Sequence, residues 1–229
     1  MNRDELLKTA QRRLYPSLTN PNYLVLRSRR LLFNEWFRTL PNNLVVLDVG
    51  GRYQPYRPLL EGKIKRYVAL DVEKTELVDV IGSGEAIPFA DATFDLVIAT
   101  VVFEYFEKPH QAAEEIRRIL RPGSTLLVSV GAVAPRFVDE ECWRFLPRGL
   151  RSVFSGFSSV TVVPEVRSPA GFCRFLNLTL HDFLKLRVLK VAYELTLCPV
   201  LNLLGLALEK AHLTNNDQWT GNYSVLAVK

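Results

Sequence analysis

The chain has 229 residues, 48% of them apolar, and a net charge of +5, which suits one globular unit with a buried core and excludes a disordered, highly charged chain. Three cysteines without a CxxC pair and three scattered histidines give no zinc pattern and no disulfide framework, so no metal and a reducing, cytoplasmic setting are expected. Met1 to Glu5 carries acids and no apolar run, unlike a secretory signal.

The positive charge is concentrated at the front. Residues 1–40 hold eight Lys/Arg against three Asp/Glu, among them Arg12, Arg13, Arg27, Arg29, Arg30 and Arg38. Such a segment can meet an anionic membrane, nucleic acid or an anionic substrate; the plainer reading is a solvated amphipathic helix. No aromatic platform interleaves the arginines, so nucleic acid is not expected as a partner.

In chain order, a polar helix is predicted over 3–14, a proline-bounded break at 15–21, and a second helix over 22–39 with Leu24, Leu31, Leu32, Trp36 and Phe37 on its apolar face. Strands are predicted at 44–49, 66–71, 77–81, 94–100, 124–130, 158–164 and 223–228. Between the first two, residues 51–58 form a loop rich in tyrosine, arginine and proline. Helix 109–120 sets Ala112, Ile116 and Leu120 on one face and stops at Arg121-Pro122-Gly123; a further helix is predicted over 147–155. Strand four, Phe94 to Thr100, is nearly unbroken apolar sequence, as in a strand covered on both faces. Alternating strands and helices imply a mostly parallel sheet. Residues 174–212 form a leucine-rich helical stretch whose longest uncharged piece, Leu195–Leu208, has 14 residues and contains Pro199; a bilayer span needs about 20. A cap over the active site, a dimer surface and an interfacial membrane helix remain open for it.

The chemistry concentrates in Val45-Val46-Leu47-Asp48-Val49-Gly50-Gly51 and, about twenty residues on, in Tyr67-Val68-Ala69-Leu70-Asp71. A strand, a glycine turn and a second strand tipped with an acid describe half of a nucleotide-binding fold. Glycine lets backbone approach a ligand, and the acid can accept from ribose hydroxyls.

With Gly82–Phe89, Phe94–Thr100, Phe103–Phe106 and Leu120–Val130 added, residues 44–131 resemble a class I S-adenosylmethionine-dependent methyltransferase of the small, type 11-like kind. A weaker echo runs through Trp143-Arg144-Phe145 to Leu150. The resemblance implies an α/β, Rossmann-like three-layer sandwich: a seven-stranded, mostly parallel sheet with its last strand antiparallel, and here a helical insertion before that strand. The implied organisation is N-terminal helices at 1–40, a core at 41–170 and 220–229, and a cap at 171–219. The implied cofactor is S-adenosylmethionine, met by Asp48, Gly50, Gly51, Arg52, Asp71, Val72, Ser83, Gly84, Glu85, Ala86 and Thr100. In that assignment Gly50 and Gly51 turn backbone N–H groups to the methionine carboxylate, Asp71 takes the ribose, and Thr100–Phe103 wall the methionine end.

Two departures stand out. Arg52 and Gln54 occupy the second and third glycine positions of the family's loop, and Arg52 either pairs with the cofactor carboxylate or fills the pocket. Tyr105 stands where relatives carry a histidine, and is the poorer base at neutral pH. Glu104 and Tyr105 are the catalytic candidates, with helix capping or surface exposure the alternative for Glu104. Tyr53, Tyr56, Arg144 and His110 are candidates to line the substrate. The expected activity is O-methylation of a small-molecule, sugar or lipid-linked acceptor by a monomer or homodimer, in the cytoplasm or at the inner membrane face. The alternative is a methyltransferase fold that has lost its chemistry and serves as a binding or scaffold protein.

Overall fold

A computed structural model describes residues 2–212 and 216–229. The elements are α1 (Arg3–Leu14), α2 (Tyr23–Thr39), β1 (Leu44–Val49), β2 (Ile64–Asp71), β3 (Val80–Ile81), β4 (Phe94–Thr100), α3 (Pro109–Ile119), β5 (Leu120–Gly131), α4 (Pro147–Val153), β6 (Ser159–Pro164), α5 (Ser168–Phe183), α6 (Arg187–Leu195), α7 (Leu197–Lys210) and β7 (Asn222–Val228). The strands form one sheet in the order β3-β2-β1-β4-β5-β7-β6. β1 to β5 run parallel, and β7 is antiparallel to both neighbours.

Successive residues of a strand face opposite layers, and in β1 and β4 both layers are buried. Val46, Leu96, Ile98 and Leu127 pack under Phe33 and Phe37 of α2. Leu47, Val97, Ala99 and Val128 pack under Ala112 and Ile116 of α3 and Phe154 after α4. Strand four therefore reads as uninterrupted apolar sequence because neither of its faces meets water.

The crossover from β1 to β2 contains no α-helix; its only helical piece is a 3-10 turn at Arg57–Leu60. The layer such a helix would fill is taken by α2, whose buried stripe is Leu24, Val25, Arg29, Phe33 and Phe37. The expected apolar face was rotated: Leu31 is exposed and Trp36 only half-buried. The missing helix also explains the glycine loop. The third glycine of such loops serves close packing of the following helix on the strand, a demand absent here. Gln54 stands there at φ +52°, donating to Leu77 O and accepting from Arg57 at 2.9 Å. β3 is shorter than expected, because Asp79 turns back on β2, its carboxylate accepting from the Ala69 N–H at 2.8 Å.

Together α6 and α7 cover Arg187–Lys210, 24 residues containing an 18-residue window of mean hydropathy 1.7, long and apolar enough to cross a bilayer if straight. They are not one helix. The chain breaks at Thr196, and α7 is fastened to the body on one side. Buried Asn202 donates to Leu18 O at 2.7 Å and Asn20 O at 3.0 Å and accepts from Asn177 of α5 at 3.1 Å. The opposite side of the hairpin is open, with Val188 79%, Leu195 66% and Val200 58% exposed.

Candidate active site

The parallel register brings the carboxyl ends of β1, β2, β4 and β5 to one rim, where ligands bind in open α/β sheets. The start of antiparallel β7 reaches the same rim, because Asn222 pairs with Gly131.

On one side of the rim lie the two acids. Asp48 is buried, and its Oδ2 accepts from the Tyr67 hydroxyl at 2.6 Å. Burial lifts its pKa to about 7, against the pull of that hydrogen bond and with the help of nearby Asp71. Asp71 is also buried. Its Oδ1 accepts from the Glu73 N–H at 3.0 Å, and Arg52 Nε lies 3.3 Å from Oδ2 while Arg52 Nη1 pairs with Glu73 at 2.6 Å. Arg52 thus sits on the acid assigned to the ribose, and it must leave for the ribose hydroxyls to be accepted there.

The glycine pair works differently from expectation. The N–H groups of Gly50 and Gly51 both donate to Leu70 O, at 2.8 and 3.2 Å, extending the β1–β2 ladder; they are not free for a carboxylate. The glycines are needed for close approach. Gly50 has φ +77° and a Cβ there would lie 3.0 Å from Val102; a Cβ on Gly51 would lie 2.7 Å from Asp48 O. Gly84 is held as tightly, 2.5 Å from the Phe106 ring by the same measure. Ser83 Oγ accepts from the Glu85 N–H at 3.1 Å, beside Ala86, whose own N–H donates to Ser83 O. The Glu85 carboxylate accepts from the Lys108 N–H at 2.7 Å, so it caps the start of α3. Val72 is 64% exposed beside Asp71, an apolar surface for a base to lie on.

On the other side of the rim is a cavity of about 370 Å³, in the range of small-ligand sites. Thr100, Val101, Glu104 and Tyr105 form one wall, Gly131 and Arg144 another, and Arg13, Asn22, Arg29 and Arg174 close it from the N-terminal helices and α5. Val101 adopts φ +53°, rare for a β-branched residue, and is pinned by its N–H on Ser129 O at 2.8 Å.

Glu104 is the most unusual group here. It is 1% exposed, its Oε1 accepts from the Gly131 N–H, and its Oε2 has no partner among the described residues. Burial raises its pKa to about 7, against the opposing pull of two backbone N–H groups and of Arg29 and Arg144. It neither caps a helix nor lies on the surface, which corrects the alternative reading. Gly131 is the hinge of this arrangement: a Cβ there would lie 3.2 Å from Glu104 Oε1 and 3.7 Å from Arg144 Cδ.

Trp143 and Phe145 explain the aromatic-Arg-aromatic segment. Trp143 Nε1 donates to Phe106 O at 2.8 Å and the Phe145 N–H to Gly131 O at 2.9 Å, which turns Arg144 to the cavity. There it pairs with Glu141 at 2.6 Å, with its Nε unpartnered. Tyr105 is 40% exposed on the wall, its pKa raised by burial and by Glu141 and Glu104. Tyr56 also lines the cavity. Tyr53 stands one layer behind, under the Arg13 guanidinium at 4.2 Å from its ring centre. His110 does not belong: it is exposed on the first turn of α3 and lies outside the cavity wall.

Sequence reasoning missed Arg29, Asn22, Arg174 and Glu165. Arg29 Nε pairs with Glu165 at 2.8 Å with both side chains buried, and Glu165 Oε1 also accepts from Ser129 and from Ser224 at 2.8 Å. Far from being a solvated helix charge, Arg29 faces inward. The signal was present: Arg29 stands between Val25 and Phe33 at four-residue spacing, and Arg174 between Ala170 and Leu178, polar residues on apolar stripes.

Residues 47–128 match the family described as a methyltransferase domain. A malonyl-[acyl-carrier protein] O-methyltransferase of Coxiella burnetii is 28% identical over 95 residues, 38% of this chain and 34% of that one. The chain spans less than half the length of the curated relatives it matches. Among solved structures, an S-adenosylmethionine-dependent methyltransferase of Aquifex aeolicus is 17% identical with a TM-score of 0.51, covering 100% of this chain and 98% of that one. Phosphoethanolamine N-methyltransferase 2 of Haemonchus contortus, in complex with phosphomonomethylethanolamine and S-adenosylhomocysteine, is 15% identical with a TM-score of 0.56, covering 89% and 52%. Residues 47–128 thus match the methyltransferase domain family, and the strand order with acids at the ends of β1 and β2 gives the chain the fold of the S-adenosylmethionine-dependent methyltransferase structure it resembles.

Proposed function

We propose that the chain methylates an oxygen nucleophile held in the cavity beside Glu104. The observation that carries this reading is the buried Glu104 carboxyl, fixed on one oxygen by Gly131 and unpartnered on the other, in the wall next to Thr100 and Tyr105. The residues at the rim fit the cofactor. Asp71 suits the ribose hydroxyls once Arg52 is displaced, Val72 and Gly84 suit a planar base, and the Thr100–Phe103 segment suits the methionine end. S-adenosylmethionine supplies a methyl group already activated on a sulfonium sulfur, so alignment does much of the work. Glu104, with a pKa about 7, is matched to removing a hydroxyl proton at neutral pH. With S-adenosylmethionine bound, Glu104 Oε2 would be the atom that receives the acceptor's hydroxyl proton. Tyr105 keeps its proton and positions the acceptor by donating.

Isothermal titration with S-adenosylmethionine tests the reading. Saturable binding is expected, and Asp71→Ala should weaken it about 100-fold by removing a charged acceptor from two hydroxyls. No heat and no thermal shift at about 1 mM cofactor would favour the scaffold alternative instead.

A second surface bears on the acceptor's source. We infer that the open side of the α6–α7 hairpin rests on an anionic bilayer. Phe183, Leu186, Val188, Leu195, Val200 and Leu203 are each more than half exposed, and Lys185, Arg187 and Lys190 rise among the first of them. Apolar area together with cations is what binds interfacial helices, each basic residue adding about 1 kcal/mol near an anionic surface. Co-sedimentation with phosphatidylglycerol vesicles at low salt is expected, and Val188→Asp with Val200→Asp should abolish it. A dimer in solution that ignores the vesicles would assign this face to a second copy and refute the bilayer.

A further inference from the structure

We propose that the closed end of the cavity is an anion subsite, in which the Arg174 guanidinium, held by Asn22, takes a carboxylate or phosphate of the methyl acceptor. Naming the ligand an acceptor rests on the methyl-transfer reading; the subsite itself rests on Arg174.

Arg174 is 3% exposed and lines the cavity. Its Nε and Nη2 donate to Asn22 Oδ1 at 3.1 and 2.9 Å, and its Nη1 to Val133 O at 3.2 Å. All these partners are neutral. Two other guanidiniums of the wall are each answered by a carboxylate, buried Arg29 by Glu165 and half-buried Arg144 by Glu141. Among the described residues Arg174 has no such ion pair. A guanidinium carries five N–H donors, and three are used, so two remain. A buried charge is strongly unfavourable unless paired, and the protein makes room for this one at some cost. A Cβ on Gly221 would lie 2.5 Å from Arg174 Nη1 and 2.9 Å from its Cδ, so glycine at this position leaves room for the guanidinium.

The surroundings select the sign of the ligand. The wall holds Arg13, Arg29, Arg144 and Arg174 against Glu104 and Glu141, four cations to two acids. Burial pushes the Arg174 pKa down to about 10, still charged at neutral pH; nearby Glu165 supports the charge, and Arg29 and Arg144 oppose it. A planar carboxylate or a phosphate meets the guanidinium fork with charge-assisted hydrogen bonds and relieves the repulsion. The same cavity reaches Thr100, Glu104 and Tyr105, so an acceptor anchored through its anion has its remainder in the region of the proposed base.

The experiment is a set of titrations of the full chain at constant ionic strength, with inorganic phosphate in one arm, malonate in another, and S-adenosylmethionine in a third. At least one anion should bind wild type saturably, and the stronger arm identifies phosphate or carboxylate chemistry. Arg174→Gln, which drops the charge and keeps a donor near Asn22, should weaken that anion about tenfold or more and leave the cofactor within about twofold. Because this variant can misfold, a tungstate soak of wild-type crystals provides a separate reading, with the anion expected against the Arg174 guanidinium. Neither anion binding, equal binding to Arg174→Gln, or tungstate seated elsewhere would overturn the subsite. Cofactor binding without anion binding refutes the subsite alone; anion binding at Arg174 without cofactor binding refutes the methyltransferase reading alone.

Discussion

On the cofactor side of the rim, each acid already has a partner in the chain: Asp48 has Tyr67, Asp71 has Arg52 and the Glu73 N–H, and Glu85 has the Lys108 N–H. On the acceptor side, Glu104 Oε2 and Arg144 Nε are buried in the cavity wall without partners among the described residues, Glu165 Oε2 is so just behind it, and Arg174 makes no ion pair with any of them. Buried unpaired polar atoms are rare in folded proteins. The contrast separates two ways of being ready for a ligand. The cofactor cleft closes on itself, and the Arg52 contacts that cover Asp71 are partly exposed and cheap to break. The acceptor cavity leaves buried polar atoms without partners among the described residues, a cost that the surrounding packing must offset.

The largest effect should come from breaking the charge pair that holds the acceptor side together. Arg29→Met leaves Glu165 with only Ser129 and Ser224, and an uncompensated buried carboxylate costs about 3–5 kcal/mol. Urea denaturation should show that loss, with most of it recovered in Arg29→Met/Glu165→Gln. A single variant within about 0.5 kcal/mol of wild type would mean that the pair is not what fastens α2 to the rim.

Next in size is a pH dependence belonging to the two raised acids, one on each side. Glu104 moves from 4.5 to about 7 and Asp48 from 3.8 to about 7, burial being the main cause in both. Between the unfolded and folded values, the folded chain retains protons that the unfolded chain has released. Stability from these groups is therefore greatest at low pH, falls as pH rises to about 7, and is level above that. The slope is at most about 1.4 kcal/mol per pH unit for each group. Thermal melts from pH 5 to 8 should follow this course, and Glu104→Gln should flatten its share. If Glu104→Gln melts with an unchanged slope, Glu104 is ionised throughout, and its role as a base poised near neutrality is lost.

The two sides also differed in how far the sequence revealed them. Val45–Gly51 and Tyr67–Asp71 were legible because strand ends, glycines and acids are local and lie in one stretch. The seven strands, mostly parallel with the last antiparallel, followed from the family resemblance those blocks carry. The acceptor side is assembled from Asn22, Arg29, Glu104, Gly131, Arg144 and Arg174, which no spacing rule connects because the fold brings them together across 152 residues. The charge of the N-terminal helices gave a partial hint. It pointed outward to solvent, whereas Arg29 turns inward, because periodicity defines a stripe and cannot say whether a lone polar residue on it has a buried partner. The role assigned to the glycine N–H groups failed for a related reason. A motif records that backbone must come close, and in this chain what comes close is Leu70, Val102 and Asp48.

The smallest effect concerns Arg52, and it tests the cofactor side of the contrast most directly. Its side chain is 32% exposed, as is 63% of its partner Glu73, while Asp71 is only 3% exposed. Solvent screening holds a pair of this kind to about 0–1 kcal/mol. Removing Arg52 therefore exposes Asp71 to the ribose at little structural cost. Arg52→Ala should bind S-adenosylmethionine up to about fivefold more tightly by titration, with the melting temperature nearly unchanged. A gain that fades as salt is raised would match a screened ion pair competing with the ribose. A loss of affinity would carry the opposite meaning: Arg52 swings from Asp71 onto the cofactor carboxylate, and the self-closed cleft is an open grip waiting for its ligand. A loss would then mean that both sides of the rim bind through arginine, and the contrast between them would reduce to which arginine has a resting partner.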